Sequence, residues 1–155
     1  MALITDVSKL MDARVNPTFR RKALAVVSDL EGHGVNFKIL EVIRTAERQR
    51  MLYAQGRRDK TLLNQGFSQD EIARYRAAGY TAGKGIVTST AVSKYHGKGL
   101  AMDIGVFDSN GKYIGDASHE GYVKYGSSCK AHGLTWGGGW KLRDAGHCQL
   151  EPTSQ

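Results

Sequence analysis

The alternating run at residues 100–107 is the feature that most constrains the fold of this chain. Its even-numbered residues, from Leu100 to Val106, are apolar and fall on one face of an extended strand. A strand with one apolar face must bury it against another layer, so we expect a sheet covered by helices. The opposite face contains Asp103, the one charged residue of the run. A carboxylate in such a place is costly unless a cation pairs with it.

Helix and turn signals on both sides of this strand complete the fold prediction. Asn16 before Pro17 predicts a helix start, and Ser68 with Glu71 predicts a capping box. The other predicted elements are a strand over 35–44, a helix from Thr45 to about Gln55, a turn at 108–111 leading into a strand at 112–114, a helix over 118–132 and a short last strand. We therefore expect an α+β fold, with helices packed against a small antiparallel sheet and residues 1–155 forming a single domain.

Composition and charge exclude some classes of protein. The chain has 155 residues, of which 41% are hydrophobic, and a formal net charge of +7; these values are typical of one globular domain. A basic surface favours polyanionic partners, although the same charge also serves solubility alone. Segment 1–17 contains acids and no continuous apolar stretch, so we expect neither a signal peptide nor a transmembrane helix. Two cysteines do not indicate a disulfide framework.

One candidate functional segment precedes the alternating strand. His96 lies seven positions before Asp103, with Gly97 and Gly99 between them. The glycines allow a sharp turn that would bring the imidazole back towards the carboxylate. A divalent metal is one cation that such a pair could share.

A second candidate segment near the end of the chain supplies Asp144 and His147. Two histidines and one carboxylate, with a fourth position for water, are the usual ligands of a catalytic zinc ion, and an additional carboxylate serves as a general base. Spacing alone leaves the choice open, because a histidine near an aspartate is more often a hydrogen-bonded pair. The helical zinc motif HExxH is absent.

Four segments together resemble a known family. VIRTAERQRMLYAQGR, KYHGKGLAMDIGVF, KAHGLTWGGGWKLRD and GHCQL, taken in this order, resemble the D-alanyl-D-alanine dipeptidase and carboxypeptidase group of zinc peptidases, family M15. Within it, the chain is most similar to phage endolysins that act as L-alanyl-D-glutamate peptidases. The similarity covers about residues 35–150, apart from an insertion at 59–83 that has no counterpart.

The resemblance implies a role for each matching residue. His96, Asp103 and His147 would bind one zinc ion per chain. Asp144 would be the base that takes a proton from water and passes it to the leaving amine. Arg44 would stabilise the carbonyl oxygen as it becomes negative. Gln49 would line the substrate cleft.

Some positions depart from the family pattern. A serine usually stands two residues before the first zinc histidine, where this chain has Lys94, with Ser93 one position earlier. We expect Ser93 and Lys94 to contact substrate, although for Lys94 a solvated side chain is the slightly favoured alternative. Gly146 and Cys148 replace a proline and an aromatic residue beside the last histidine, which affects the fit of substrate more than metal binding.

Several other residues have simpler interpretations. Cys148 would point away from His147 on a strand and pack as a buried thiol. Three further histidines, His33, His119 and His132, are expected to be structural or solvent-facing. Trp136 and Trp140 either stack on sugars or pack in the core and cleft wall. For Asp108, Asn110 and Asp116, a hairpin turn is favoured over a calcium site.

These observations predict a zinc-dependent endolysin that hydrolyses the L-alanyl-D-glutamate bond of peptidoglycan and lyses the host cell. Two alternatives are a D-Ala-D-Ala carboxypeptidase or dipeptidase and a non-catalytic module that binds the cell wall. The expected partner is bacterial peptidoglycan, with no nucleic acid and no stable membrane insertion, and the expected state is a monomer. The resemblance places such a protein in the host cytoplasm, from which a holin-type pore gives access to the wall.

Overall fold

A computed structural model describes residues 5–83, 85–88 and 91–152 of the chain. In chain order the elements are α1 (Pro17–Gly32), β1 (Phe37–Glu41), α2 (Ala46–Ala54), α3 (Asp59–Asn64), α4 (Gln69–Ala77), β2 (Ala101–Phe107), β3 (Tyr113–Ile114), α5 (Glu120–Ala131), β4 (Thr135–Trp136) and β5 (His147–Gln149). The chain divides into two compact units, one formed by residues 1–43 and 95–155 and the other by residues 44–94. Each unit has its own apolar core.

The first unit contains the antiparallel sheet. Its five strands have the order β1-β2-β5-β4, with β3 paired to β2, so that β2 lies at the centre. The even-numbered side chains of β2 enter the core together with apolar residues of α1 and α5. The predicted α+β fold, with helices packed on a small antiparallel sheet, is therefore confirmed.

The ends of the helices follow from local chemistry that the sequence revealed. The Asn16 side chain accepts hydrogen bonds from the backbone N–H groups of Thr18 and Phe19, which caps α1 as predicted. In α5 the ring of His119 accepts from the N–H of Gly121, so this histidine is a helix cap. Both caps satisfy N–H groups that a helix start leaves without partners.

The described part of the second unit contains three short helices. α4 begins with the predicted capping box, in which Ser68 and Glu71 exchange side-chain and backbone hydrogen bonds. Helix α3 was not predicted, because it has six residues and no side-chain cap, which leaves little local signal. The insertion predicted at 59–83 lies wholly within this unit, and the prediction of a single domain stays a prediction.

One smaller difference from the prediction concerns the end of a strand. The strand predicted over 35–44 is shorter, since β1 ends at Glu41 after an irregularity in its pairing with β2. No helix among the described residues is both long and apolar enough to cross a bilayer. Residues 1–4, the start of the segment in which no signal peptide was expected, lie outside the described residues.

Candidate metal centre

The three predicted ligands come together in the first unit. His96, Asp103 and His147 each present one ligand atom, and these atoms all lie within 4.8 Å of one another. Asp103 is on β2 and His147 is its register partner on β5. His96 belongs to a single 3₁₀ turn just before β2. The two histidines are buried, and Asp103 is partly exposed.

Gly99 forms the turn that returns His96 towards the sheet. Its φ of +67° lies in the left-handed region, and a Cβ at this position would stand 2.3 Å from the carbonyl oxygen of Arg14. Behind the turn, the N–H of Leu100 donates to the carbonyl of Tyr95. The predicted sharp turn is therefore made by Gly99, whereas Gly97 has no positive φ.

The His96 ring is fixed by a backbone contact. Its Nδ1 lies 2.8 Å from the carbonyl oxygen of Val42, and its Nε2 lies 3.2 Å from Asp103 Oδ2. Because a carbonyl oxygen only accepts hydrogen bonds, Nδ1 must carry the proton. In the neutral ring, the lone pair on Nε2 then faces the carboxylate.

His147 has the opposite orientation. Its Nδ1 lies 2.9 Å from Asp103 Oδ1, while its Nε2 lies 2.8 Å from the side-chain oxygen of Gln149. The outer nitrogen again faces an acceptor, so the inner nitrogen is the one available to a cation. In their neutral forms both rings thus turn an unprotonated nitrogen towards Asp103, and a ring that takes a second proton donates that N–H to the carboxylate.

Charge explains why this cluster needs a cation. Burial raises the pKa of Asp103, but its hydrogen bonds to His147 and His96 outweigh burial and hold the pKa well below its usual range. Burial lowers the pKa of His147, but the hydrogen bond to Asp103 and the carboxylate charge outweigh it and raise the pKa to about 9. Two imidazoles and a carboxylate therefore hold a shared positive charge, either a proton or a metal ion.

The donor set fits a zinc ion. Ligands at ~2.0–2.1 Å in a tetrahedral shell lie roughly 3.3 Å apart, and Asp103 is 2.9 and 3.2 Å from its two partners. Each histidine also donates its outer N–H to an oxygen, as zinc-binding histidines almost always do. His96, Asp103 and His147 would hold the metal, which leaves one tetrahedral position for water or substrate.

Asp144 lies at the exposed side of this cluster. It precedes the turn that leads into β5, and its backbone carbonyl accepts from the N–H of His147. Its negative charge contributes to the raised pKa of His147. The backbone of Gly137 fixes this segment, because its carbonyl accepts from the N–H groups of Asp144 and Trp140. Asp144 thus has the exposure and the charge that a base acting on water requires.

The structure brings Arg44 and Gln49 together in the second unit. Arg44 Nη1 donates to the Gln49 side-chain oxygen at 3.0 Å, and Gln49 Nε2 donates to the hydroxyl of Thr88. Gln49 is buried, Ser93 is partly buried and Lys94 is exposed. Ser93 and Lys94 also belong to the second unit. The roles of these four residues in catalysis or substrate binding stay predictions.

The simpler interpretations hold for several residues. Cys148 is fully buried in the core, opposite in direction to His147. His132 pairs with Asp29, and the Trp136 indole N–H donates to the carbonyl of Ala145. Trp140 is different, because it is 39% exposed and its ring centroid is 5.2 Å from that of His147. It forms one wall of the cluster.

Sequence interpretation missed two residues here. Gln149 is buried and touches His147, and Glu151 in turn accepts from Gln149. The spacing of two on a strand, which places Gln149 on the face of His147, was a usable signal. The turn at 108–111 is a hairpin, as favoured, because Asp108 accepts from the backbone of Asn110 and Lys112.

Comparison with known proteins shows a similarity to a peptidase family over part of the chain. A family model described as D-alanyl-D-alanine carboxypeptidase, of the M15 peptidases, matches residues 88–150, which include the three clustered residues and Asp144. Over this segment the chain is similar to M15 peptidases, which indicates a peptidase. A metal site built from His96, Asp103 and His147 is consistent with that similarity.

Individual relatives agree with this family. The peptidoglycan L-alanyl-D-glutamate endopeptidase CwlK of Bacillus subtilis (strain 168) is 25% identical over 146 residues, which cover 89% of this chain and 74% of that protein. The crystal structure of the L-Ala D-Glu endopeptidase ChiX of Serratia marcescens matches with a TM-score of 0.53 and 20% identity, over 96% of this chain and 90% of that one. The LD-carboxypeptidase LdcB matches with a TM-score of 0.55 and 14% identity, over 88% of this chain and 58% of that chain. At these identities the structural matches show a shared fold alone.

Proposed function

We propose that this chain is an M15 peptidase that uses zinc to hydrolyse the L-alanyl-D-glutamate bond in the stem peptides of peptidoglycan. The observation that carries the proposal is the cluster of His96, Asp103 and His147, with Asp144 exposed beside it. The bond assignment is supported by two relatives, CwlK and ChiX, which are both described as L-alanyl-D-glutamate endopeptidases.

In this proposal, different residues of the chain have different roles in the reaction. A zinc ion held by the cluster would supply Lewis acidity, which acidifies water and polarises a peptide carbonyl. Asp144 would accept the proton of the attacking water and deliver it to the amine nitrogen as the carbon–nitrogen bond breaks. The indole of Trp140 would exclude water from one side of the cluster.

Charge supports an anionic, wall-associated substrate. Residues 44–94 contain ten lysines and arginines against four acids, whereas the rest of the chain contains twelve against eleven. Most of the net charge of +7 therefore belongs to the second unit. Stem peptides carry carboxylates, and a basic unit would raise their local concentration near the enzyme.

The biological setting in this proposal is lysis of a bacterial host. The enzyme would act as a phage endolysin, made in the host cytoplasm and admitted to the wall by a holin-type pore. Its expression in bacteria with and without a co-expressed pore-forming protein tests this step. Lysis only in the presence of the pore is expected, and intact cells in both cases would contradict the endolysin role.

Mass spectrometry of digested peptidoglycan tests the bond. Cleavage of the L-alanyl-D-glutamate bond adds one water and exposes the amino group of D-glutamate, which an amine-labelling reagent detects. The protein is first stripped with a chelator and reloaded with Zn²⁺, and metal content is measured beside activity. New D-glutamate amino groups that depend on zinc are expected.

A second candidate is a carboxypeptidase that removes a terminal D-alanine. The description of the matched family model favours it, as does the fold shared with LdcB. In the same digest it would release free D-alanine and leave the D-glutamate amine blocked. That result would replace the first proposal.

A further inference from the structure

A chain of hydrogen bonds extends from His147 away from the metal cluster. His147 Nε2 lies 2.8 Å from Gln149 Oε1, and Gln149 Nε2 donates to Glu151 Oε1 at 2.8 Å. The other carboxylate oxygen, Glu151 Oε2, accepts from the hydroxyl of Tyr95 at 2.8 Å. Each link is within ordinary hydrogen-bond range.

The direction of every bond in this chain is fixed by chemistry. An ionised carboxylate only accepts, so Glu151 can pair with Gln149 solely through the amide NH₂ group. That leaves the amide oxygen of Gln149 towards His147, and an oxygen can only accept from the ring. His147 must therefore carry its proton on Nε2, with Nδ1 turned to Asp103.

Burial makes these bonds specific. Gln149 is 6% exposed and His147 is 7% exposed, so water does not compete freely for their polar atoms. A buried amide that lost its partners would keep polar atoms unsatisfied and away from water, which is unfavourable. These hydrogen bonds therefore disfavour a flip of the His147 ring or of the Gln149 amide. Either flip would place a donor against a donor or an acceptor against an acceptor.

The same series of hydrogen bonds also connects the two segments that contain His96 and His147. Tyr95 immediately precedes His96, and its backbone carbonyl closes the turn through the N–H of Leu100. Its hydroxyl reaches Glu151, just beyond β5. A change at Glu151 would thus be felt at both histidine ligands.

We propose that Gln149, held in place by Glu151 and Tyr95, is a positioning residue that makes Nδ1 of His147 the metal-binding atom. This inference rests on the proposed zinc function. Gln149 contacts the outer nitrogen of the ring and has no part in the reaction itself. Its effect is to preorganise the metal-free ring of His147. Metal binding then does not have to select one of two tautomers.

Replacing Gln149 tests the inference without any substrate. Gln149→Met keeps the length of the side chain but has no oxygen, so zinc affinity should fall by roughly 10–100-fold, as when outer partners of metal ligands are removed. Gln149→Glu keeps an acceptor towards His147 and should restore most of that affinity. Zinc affinity is measured by competition with a chromogenic chelator.

A second variant avoids the risk that a core substitution prevents folding. Glu151→Gln is partly exposed and nearly isosteric, but it lets the Gln149 amide turn its NH₂ group to the ring. In the neutral ring the His147 proton would then move to Nδ1, which ¹⁵N chemical shifts of the histidines detect in the metal-free protein at alkaline pH. Loss of zinc affinity together with this tautomer change is expected.

A matched control is Gln49→Met, which removes a buried glutamine that is bonded to Arg44 and Thr88. Its zinc affinity should equal that of the wild type. If Gln149→Met and Glu151→Gln both keep wild-type affinity and the Nε2–H tautomer, the positioning role is wrong. Failure of the proposed function gives a different pattern, in which zinc binds normally but peptidoglycan is not cleaved.

Discussion

Asp103 and His147 lie opposite each other in the register of β2 and β5, and this pairing places Asp103 Oδ1 2.9 Å from His147 Nδ1. Asp103 also touches His96 through its second oxygen. One carboxylate therefore links the two imidazoles.

Asp103→Asn should remove metal binding. The amide keeps the shape of the side chain but loses the negative charge that holds a cation between two rings. Zinc affinity should fall by more than the ~10–100-fold typical when an outer hydrogen-bond partner is removed. Elemental analysis of the purified variant measures this loss, with circular dichroism to confirm the fold. A variant with one zinc per chain would contradict the assignment of the ligand.

Asp144→Asn should separate catalysis from metal binding. Loss of a general base costs about 10²–10⁴-fold in kcat, while the three ligands remain in place. Asp116→Asn is the control, since Asp116 is an exposed acid whose side chain caps a turn through Ser118. Wild-type turnover in the Asp144 variant would mean that another group acts as the base.

Gly146→Ala should disturb the metal centre through the backbone. A Cβ on Gly146 would stand 2.3 Å from the carbonyl oxygen of Ile104, at the point where Gly146 accepts a hydrogen bond from β2. Such overpacking costs about 1–3 kcal/mol, and it would displace the adjacent His147. Both the unfolding temperature and the zinc affinity should fall.

Gly139→Ala is the matched control for that substitution. No atom lies within 4 Å of a Cβ placed on Gly139, and its φ is not in the left-handed region. Stability should stay within about 0.5 kcal/mol of the wild type. Equal losses in both glycine variants would show that the contact with Ile104 is not the cause.

Glu71 should make the second unit sensitive to acid. Its hydrogen bond with Arg50 lowers its pKa from 4.5 to about 2. Because the folded pKa is depressed, the stabilisation is fully present above pH ~4.5 and is lost as the pH falls through about 2. It amounts to roughly 2–3 kcal/mol, given the partial solvent exposure of Arg50.

Glu71→Gln should remove this pH dependence. Circular dichroism of the metal-free protein in denaturant, between pH 7 and pH 2, is the measurement, because both tryptophans lie in the first unit and do not report on α2–α4. Asp70→Asn, at the neighbouring exposed position, should change stability by about 1 kcal/mol or less. An unchanged acid profile in the Glu71 variant would refute this account.

The basic charge of the second unit should govern retention on the cell wall. Arg58 and Lys60 are exposed near the start of α3, and Arg58→Glu with Lys60→Glu should weaken binding to purified sacculi. The same change of net charge made with Arg21→Glu and Lys112→Glu in the first unit is the control. Pelleting at increasing salt compares them, since screening should reduce wild-type retention. Equal losses from both pairs would indicate that net charge alone matters.

The sequence by itself determined the parts of this protein that depend on local chemistry. Alternation identified the core face of β2, Asn16 and Ser68 predicted two helix caps, and Gly99 predicted the turn after His96. These signals are readable because periodicity, capping and φ preference act between residues close in the chain. The four ligand and base residues were likewise named from their types and from the family resemblance.

Only the tertiary structure decided how those residues face one another. Which nitrogen of each histidine turns inward depends on Val42 and Gln149, and the second of these was not foreseen. Ring orientation is set by hydrogen-bond partners that pairing of strands brings close, and register is a property of the whole sheet. Sequence patterns state which side chains share a face, but packing alone fixes which of their atoms meet.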